Sequence, residues 1–199
     1  MKKGWEEKKL GEISIINYGY TEKASFNEIG PKFLRITDIQ DNYVDWAKVP
    51  FCRIEKTEIS KYLLCDGDIV FARTGATTGK SYLLNNPPLA VFASYLIRLK
   101  IVDSTKLLPE YIFLCFQTKA YWDIIKNGVS GSAQGGFNAS KLADISIPIP
   151  PLQEQQRIVN KLDALSAETK KLEVIYEQKL VDLDELKQSI LEKAFKGEL

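Results

Sequence analysis

Between Pro151 and Gly197 the chain contains neither proline nor glycine. A stretch of that length without a helix breaker, entered through Pro150-Pro151 and left at a glycine, reads as one helix over 152–195. At 1.5 Å per residue it spans about 65 Å. Its apolar residues recur with a heptad period. With Leu162 as position a, the a and d positions are Ile158, Leu162, Leu165, Thr169, Leu172, Tyr176, Lys179, Leu183, Leu186, Ile190 and Lys193, eight of eleven of them apolar. A stripe this regular over so many turns has the pattern of a coiled coil and needs a surface to cover it. Either a partner helix supplies that surface or the helix folds back on the rest of its own chain.

The run ISIPIPP, from Ile145 to Pro151, separates this helix from everything before it. Ile145, Ile147 and Ile149 alternate with Ser146, Pro148 and Pro150, as in a short edge strand, where proline costs no ladder bond. The expected division is a globular part, 1–150, and a helical part, 151–199. The globular part reads as mixed α and β. Strands are expected over 12–16, 33–39, 69–73 and 91–100, and turns at Asp66-Gly67-Asp68 and Asn86-Pro87-Pro88. A helix is expected over 108–126, ended by Asn127-Gly128, with its aromatic residues in the core. The fold class is therefore an α+β globular domain followed by a long C-terminal α-helix.

Two polar loops stand out from this apolar background. The first, Thr74 to Ser81, is TGATTGKS and ends like a nucleotide-binding loop. A P-loop needs a glycine five residues before the Gly-Lys-Ser ending. That place holds Thr74, and Gly75 stands one residue too close. The second, 130–141, is SGSAQGGFNASK. Both combine glycine with short polar side chains and lysine. They read equally as solvated surface or as loops that hydrogen-bond phosphates and base edges. The sequence has no histidine, which removes Ser-His-Asp and Cys-His catalysis and the commonest zinc ligand. No metal site or cofactor site is expected. Three cysteines with no C-x-x-C pair fit free thiols in a reducing cytosol, and no apolar run has transmembrane length. A net charge of +1 does not by itself mark a nucleic-acid binder.

The opening WEEKKLGEI, the segment GDIVFARTGATTGKSYL, the run FNASKLADISIPIPPLQEQQRIVNKLDAL and the ending KQSILEKAFKGEL occur in that order. Together they resemble half of the specificity subunit of a type I restriction-modification system, over almost the whole chain. Members of that family carry two target recognition domains, each followed by a long helical region. The resemblance implies a target recognition domain over 1–150 and a dimerisation and spacer helix over 151–199, pairing as an antiparallel coiled coil in a homodimer. It further implies a subunit without catalytic activity that reads double-stranded DNA, here a bipartite palindromic site. That subunit holds adenine-methyltransferase subunits, with S-adenosylmethionine bound by those partners, and restriction subunits are a further partner. The expected location is the cytoplasm.

Carried onto this sequence, the DNA-facing residues are Arg73, Thr74, Thr77, Thr78 and Lys80 in the first loop. Ser130, Ser132, Gln134, Asn138 and Lys141 follow in the second, and Thr21 and Lys23 come from the stretch YGYTEKASF. The helix contacts are Ile158, Leu162, Leu165, Leu172, Tyr176, Leu183, Leu186 and Ile190. The competing reading is a coiled-coil adaptor whose globular head binds protein, with no affinity for DNA.

Overall fold

The computed structural model describes residues 4–40, 42–130 and 137–199. They form two compact units, Met1–Gln156 and Arg157–Leu199. The first is mixed α and β. The second is the greater part of one long helix.

The chain enters through β1 (Glu6–Lys9), a single helical turn α1 (Leu10–Ile13) and β2 (Ser14–Tyr18). Glu12 therefore does not open a strand. Its carboxylate accepts from the Lys9 N–H at 3.2 Å, and the Ser14 hydroxyl donates back to the Leu10 carbonyl at 2.6 Å, so local side-chain bonds close a turn before the strand begins. After a connection over 19–31 come β3 (Lys32–Leu34), a 3-10 turn (Ile36–Asp38), β4 (Ile39–Gln40) and β5 (Tyr43–Val44). The continuous strand expected over 33–39 is thus broken, because Asp38 folds back onto Arg35.

Next are α2 (Lys56–Tyr62), β6 (Ile69–Ala72), a 3-10 turn (Gly75–Thr77), β7 (Ser81–Leu83), β8 (Ala90–Phe92) and β9 (Leu96–Ile101). β2, β9, β6 and β7 lie side by side in that order as an antiparallel sheet. All four residues of β6 are buried, which explains its unbroken apolar run IVFA. β3 and β8 pair in parallel, with Phe33 opposite Val91 and Leu34 opposite Phe92. The two-residue period sorts these pairs onto two cores. Leu34 and Phe92 join Val44, Val70, Leu84 and Leu96, whereas Phe33 and Val91 pack with Cys52 and Ala93. The strand expected over 91–100 is therefore two strands, β8 and β9, with a turn between them.

The expected helix over 108–126 is likewise two, α3 (Pro109–Cys115) and α4 (Lys119–Ser130). Phe116, at the break, is buried and stacks on Tyr121 with ring centroids 5.0 Å apart, so the apolar pattern runs on through the turn. Asn127-Gly128 does not end the helix. A Cβ on Gly128 would come within 2.7 Å of the Phe137 ring, and close approach is the reason for glycine there. Then follow α5 (Ala139–Ala143), β10 (Ser146–Ile149) and α6 (Leu152–Lys196). Among the described residues β10 pairs only with β1, antiparallel, as the isoleucine-proline alternation implies.

α6 runs for 45 residues and ends at Gly197, whose φ of +73° makes it the left-handed residue that stops a helix. In its second-unit portion Leu162, Leu165, Leu172, Tyr176, Leu183, Leu186 and Ile190 are exposed, and Ile158 is half-buried. Among the described residues no helix is long and apolar enough to cross a membrane.

Candidate nucleic-acid interface

The C-terminal ends of β2 and β6 and the N-terminal end of β9 lie at the same edge of the four-stranded sheet, since β9 runs antiparallel to both. Three segments converge there. The Arg73 N–H donates to the Tyr95 carbonyl at 3.2 Å, and the Arg73 guanidinium lies 4.8 Å from the centre of the Tyr18 ring, with Nη1 3.4 Å from the Ser94 carbonyl. The Phe137 N–H donates to the Arg73 carbonyl at 2.9 Å, and the Ala139 N–H donates to the Tyr18 hydroxyl at 3.0 Å. The downstream flank of the second polar loop is thereby fastened to the start of the first.

Loop 74–80 is held in shape from below. Gly79 adopts φ +94°, and a Cβ there would meet Ile125 at 2.7 Å and Trp122 at 3.0 Å, so only glycine lets the loop lie this close to α4. The buried Tyr121 hydroxyl donates to the Gly79 carbonyl at 2.7 Å. Burial pushes that phenol far above its ordinary range, so it remains a fixed donor. Within the loop the Thr78 hydroxyl donates to the Gly75 carbonyl at 2.7 Å. Thr74, Thr77 and Thr78 are half-buried, while Lys80 is exposed and makes no ion pair among the described residues. Lys80 also lines a pocket of about 220 Å³ with Asn42, Ser81, Gln117 and Trp122.

The other expected residues fall into three groups. Thr21 lines a cleft of about 480 Å³ with Tyr20, Arg35, Thr37, Ser94 and Tyr95, and Lys23 is exposed two residues further on. Asn138 and Lys141 have local work. The Asn138 carboxamide accepts from the Lys141 N–H at 2.8 Å and caps α5, and Lys141 Nζ donates to the Gly128 carbonyl at 2.8 Å. Ser130 is the last residue of α4, and Ser132 and Gln134 lie outside the described residues.

Sequence reasoning passed over the aromatic members of this edge. Tyr95 is 62% exposed and Tyr18 41%, the second with its hydroxyl and ring face both engaged. Tyr18 stands inside the stretch YGYTEKASF already singled out, so a polar-tipped ring at a strand end was the available signal. Arg35 and Thr37 were missed because they read as interior residues of an unbroken strand. Both line the 480 Å³ cleft and also a neighbouring one of about 740 Å³ whose walls include Phe26, Gln40, Tyr43 and Lys48. Phe26 and Tyr43 are themselves exposed. The arrangement offers hydrogen-bond donors, cations and ring faces along one edge. Among the described residues no group of His, Cys, Asp and Glu could hold a metal ion.

Comparison with known proteins identifies the family and the fold. Residues 2–178 match the family described as the type I restriction modification DNA specificity domain. The chain is 29% identical to the EcoKI specificity subunit of Escherichia coli K12, over 96% of this chain and 43% of that protein. It is 27% identical to the StySPI specificity subunit of Salmonella potsdam, over 98% of this chain and 43% of that protein. It thus spans less than half the length of these relatives. Among solved structures, a chain from a type I R-M system described for its assembly and conformational transition superposes with a TM-score of 0.80 at 24% identity, covering 100% of this chain and 47% of that one. The HsdS subunit from Thermoanaerobacter tengcongensis gives 0.71 at 24% identity, covering 100% and 46%. At such identity these two establish the fold.

Proposed function

From the premise that the chain belongs to the type I restriction modification DNA specificity domain family, we propose that it is a non-catalytic DNA-recognition subunit of a type I restriction-modification complex. The observation that carries the reading is the convergence of Arg73, Tyr18, Tyr95, the first polar loop and the downstream flank of the second, Phe137 to Ala139, on one edge of the sheet. Such an edge suits double-stranded DNA, whose phosphates take cations and backbone N–H groups and whose base edges take directional donors. In this reading Lys80 is a phosphate contact, and Arg73 and the threonines of 74–78 lie against the groove. The recognition domain is 1–150 and the spacer helix 151–199.

The exposed a/d stripe of α6 supports pairing with an antiparallel helix. A second copy is the simplest closed solution. Two identical recognition domains related by a two-fold axis read an interrupted palindrome, with half-site centres about one DNA turn, roughly 34 Å, apart. The helix pair then serves as spacer and as the scaffold for adenine-methyltransferase subunits that carry S-adenosylmethionine, with restriction subunits joining the same complex. Binding of the Lys80→Ala chain to duplex DNA tests the recognition edge. Affinity should fall alike for all sequences, and the slope of log K against log salt should shrink by about one. Unchanged binding by both Lys80→Ala and Arg73→Ala, with folding intact, removes this edge from the interface. Sequencing of methylated sites in cells that carry the gene with its methyltransferase tests the symmetry, and a bipartite motif with unlike halves refutes the symmetric pair.

A further inference from the structure

Arg35 leaves β3 and enters the 3-10 turn Ile36–Asp38, and the turn's three-residue spacing brings Asp38 back over it. The carboxylate takes the Arg35 side chain on one edge only. Nε donates to Oδ2 at 3.0 Å and Nη2 to Oδ1 at 2.7 Å, while the Arg35 backbone N–H donates to Oδ2 at 2.8 Å. The Asp38 side chain is 9% exposed and that of Arg35 34%. A guanidinium has five N–H donors in a planar fork. This pair uses one on Nε and one on Nη2, and among the described residues nothing takes Nη1. Three N–H groups are therefore left, and two of them, one on each terminal nitrogen, lie side by side on the end-on edge of the fork.

The side chain also stands where the two clefts meet, since Arg35 and Thr37 line both. A carboxylate that holds the other edge removes rotamer freedom from the arginine before any ligand arrives, which reduces the ordering cost of a contact. It also offsets the charge, so what the fork offers is directional hydrogen bonding more than bare Coulomb attraction.

We propose that Arg35, buttressed by Asp38, is a DNA contact of this chain that engages two adjacent acceptor atoms through its free end-on edge. The inference rests on the DNA-recognition reading and adds a residue that reading did not include. Two features of DNA present such an acceptor pair: O6 and N7 of one guanine, and two oxygens of one phosphate. Asp38 is a positioning residue, acting through Arg35.

The test uses the full chain, a randomised duplex library to select a preferred duplex, and fluorescence anisotropy on that duplex and on a scrambled one at several salt concentrations. Arg35→Lys keeps the charge and loses the fork. It should bind the preferred duplex about 5- to 150-fold more weakly. Asp38→Asn keeps an acceptor for the Arg35 backbone N–H and should lose part of that factor, and both variants are compared with wild type well below their own thermal midpoints. If guanine is the acceptor pair, the scrambled duplex is unaffected and reselection loses a G·C preference at one position. If a phosphate is, both duplexes weaken alike and reselection keeps the same base preferences, while the salt slope stays near wild type because lysine keeps the charge. Wild-type affinity of Arg35→Lys and Asp38→Asn, alongside weakened binding by Lys80→Ala, overturns the inference and leaves the recognition edge standing. A wild-type chain that binds no duplex overturns both.

Discussion

Replacing Gln155 by leucine should unfold the first unit at markedly lower denaturant concentration. Gln155 sits in the first turn of α6 within the run PPLQEQQ and is completely buried. Its Oε1 accepts from the Leu108 N–H at 3.0 Å, and its Nε2 donates to the Lys106 carbonyl and the Pro150 carbonyl, each at 2.9 Å. One carboxamide thus ties together the segment leading into α3, the end of β10 and the start of α6. Leucine fills similar space but leaves these groups without partners. Lys106 is exposed, so water can replace its bond. The Leu108 N–H and the Pro150 carbonyl are less accessible, and each orphaned group costs about 1–3 kcal/mol. Allowing for the apolar gain of leucine, the net loss is about 1–5 kcal/mol, a large share of the ~5–15 kcal/mol that a domain possesses. With a urea slope of about 2 kcal/mol/M, the midpoint should fall by about 0.5–2.5 M. Tryptophan fluorescence follows the transition, because Trp5, Trp46 and Trp122 all lie in the first unit. Gln153→Leu, at an exposed position in the same turn, is the control and should stay within about 0.5 kcal/mol of wild type. A Gln155→Leu midpoint matching that control refutes the claim that this side chain fastens the helix base.

Leu172→Asp places a charge in the middle of the exposed α6 stripe and should abolish self-association without changing the melting of the first unit. Sedimentation of the wild-type chain as a monomer at micromolar concentration would defeat the paired-helix reading. Asp68 is buried beside Arg98 at 3.8 Å, and its burial, outweighing the Cys65 N–H bond and Arg98, raises its carboxyl above the ordinary value of 3.8. The folded chain therefore holds that proton more tightly than the unfolded one. The associated stability is present below about pH 3.8 and is lost as pH rises through the folded value. Asp68→Asn removes this titration, so its stability relative to wild type should climb from about pH 3.8 upward in urea titrations, and a flat or falling difference would contradict the burial argument.

Much of the second unit was legible because its signals are local. The absence of proline and glycine, the entry through Pro150-Pro151 and the glycine stop predict the helix, and α6 spans Leu152–Lys196 with Gly197 at φ +73°. The heptad stripe follows from periodicity alone, because nothing in the described chain interrupts it. The isoleucine-proline alternation likewise marks β10, whose single pairing partner among the described residues matches the edge character that proline requires. In the first unit the buried run IVFA was legible as a strand for the same reason.

Periodicity misled wherever a side chain far away in sequence, or a short-range polar bond, decided the backbone. Buried Phe116 continues the apolar pattern across the break between α3 and α4, and its stacking on Tyr121 appears only once the chain is folded. Gly128 looks like a helix stop, yet it is glycine because the Phe137 ring closes on it from the far side of the second loop. The run FLRITDI looks like a strand until Asp38 takes the Arg35 fork and backbone N–H together. The candidate interface divides in the same way. Its glycines, threonines and lysine were visible as composition, since flexible polar loops announce themselves. That Tyr18, Tyr95 and Arg73 share one edge depends on the order β2-β9-β6, in which strands distant in sequence become neighbours. Sequence by itself determined which segments are helix, strand and polar loop wherever the cause lies within a few residues. Tertiary structure alone decided which of those segments face a common surface, because strand order and ring packing are set by burying apolar area between residues that the sequence keeps far apart.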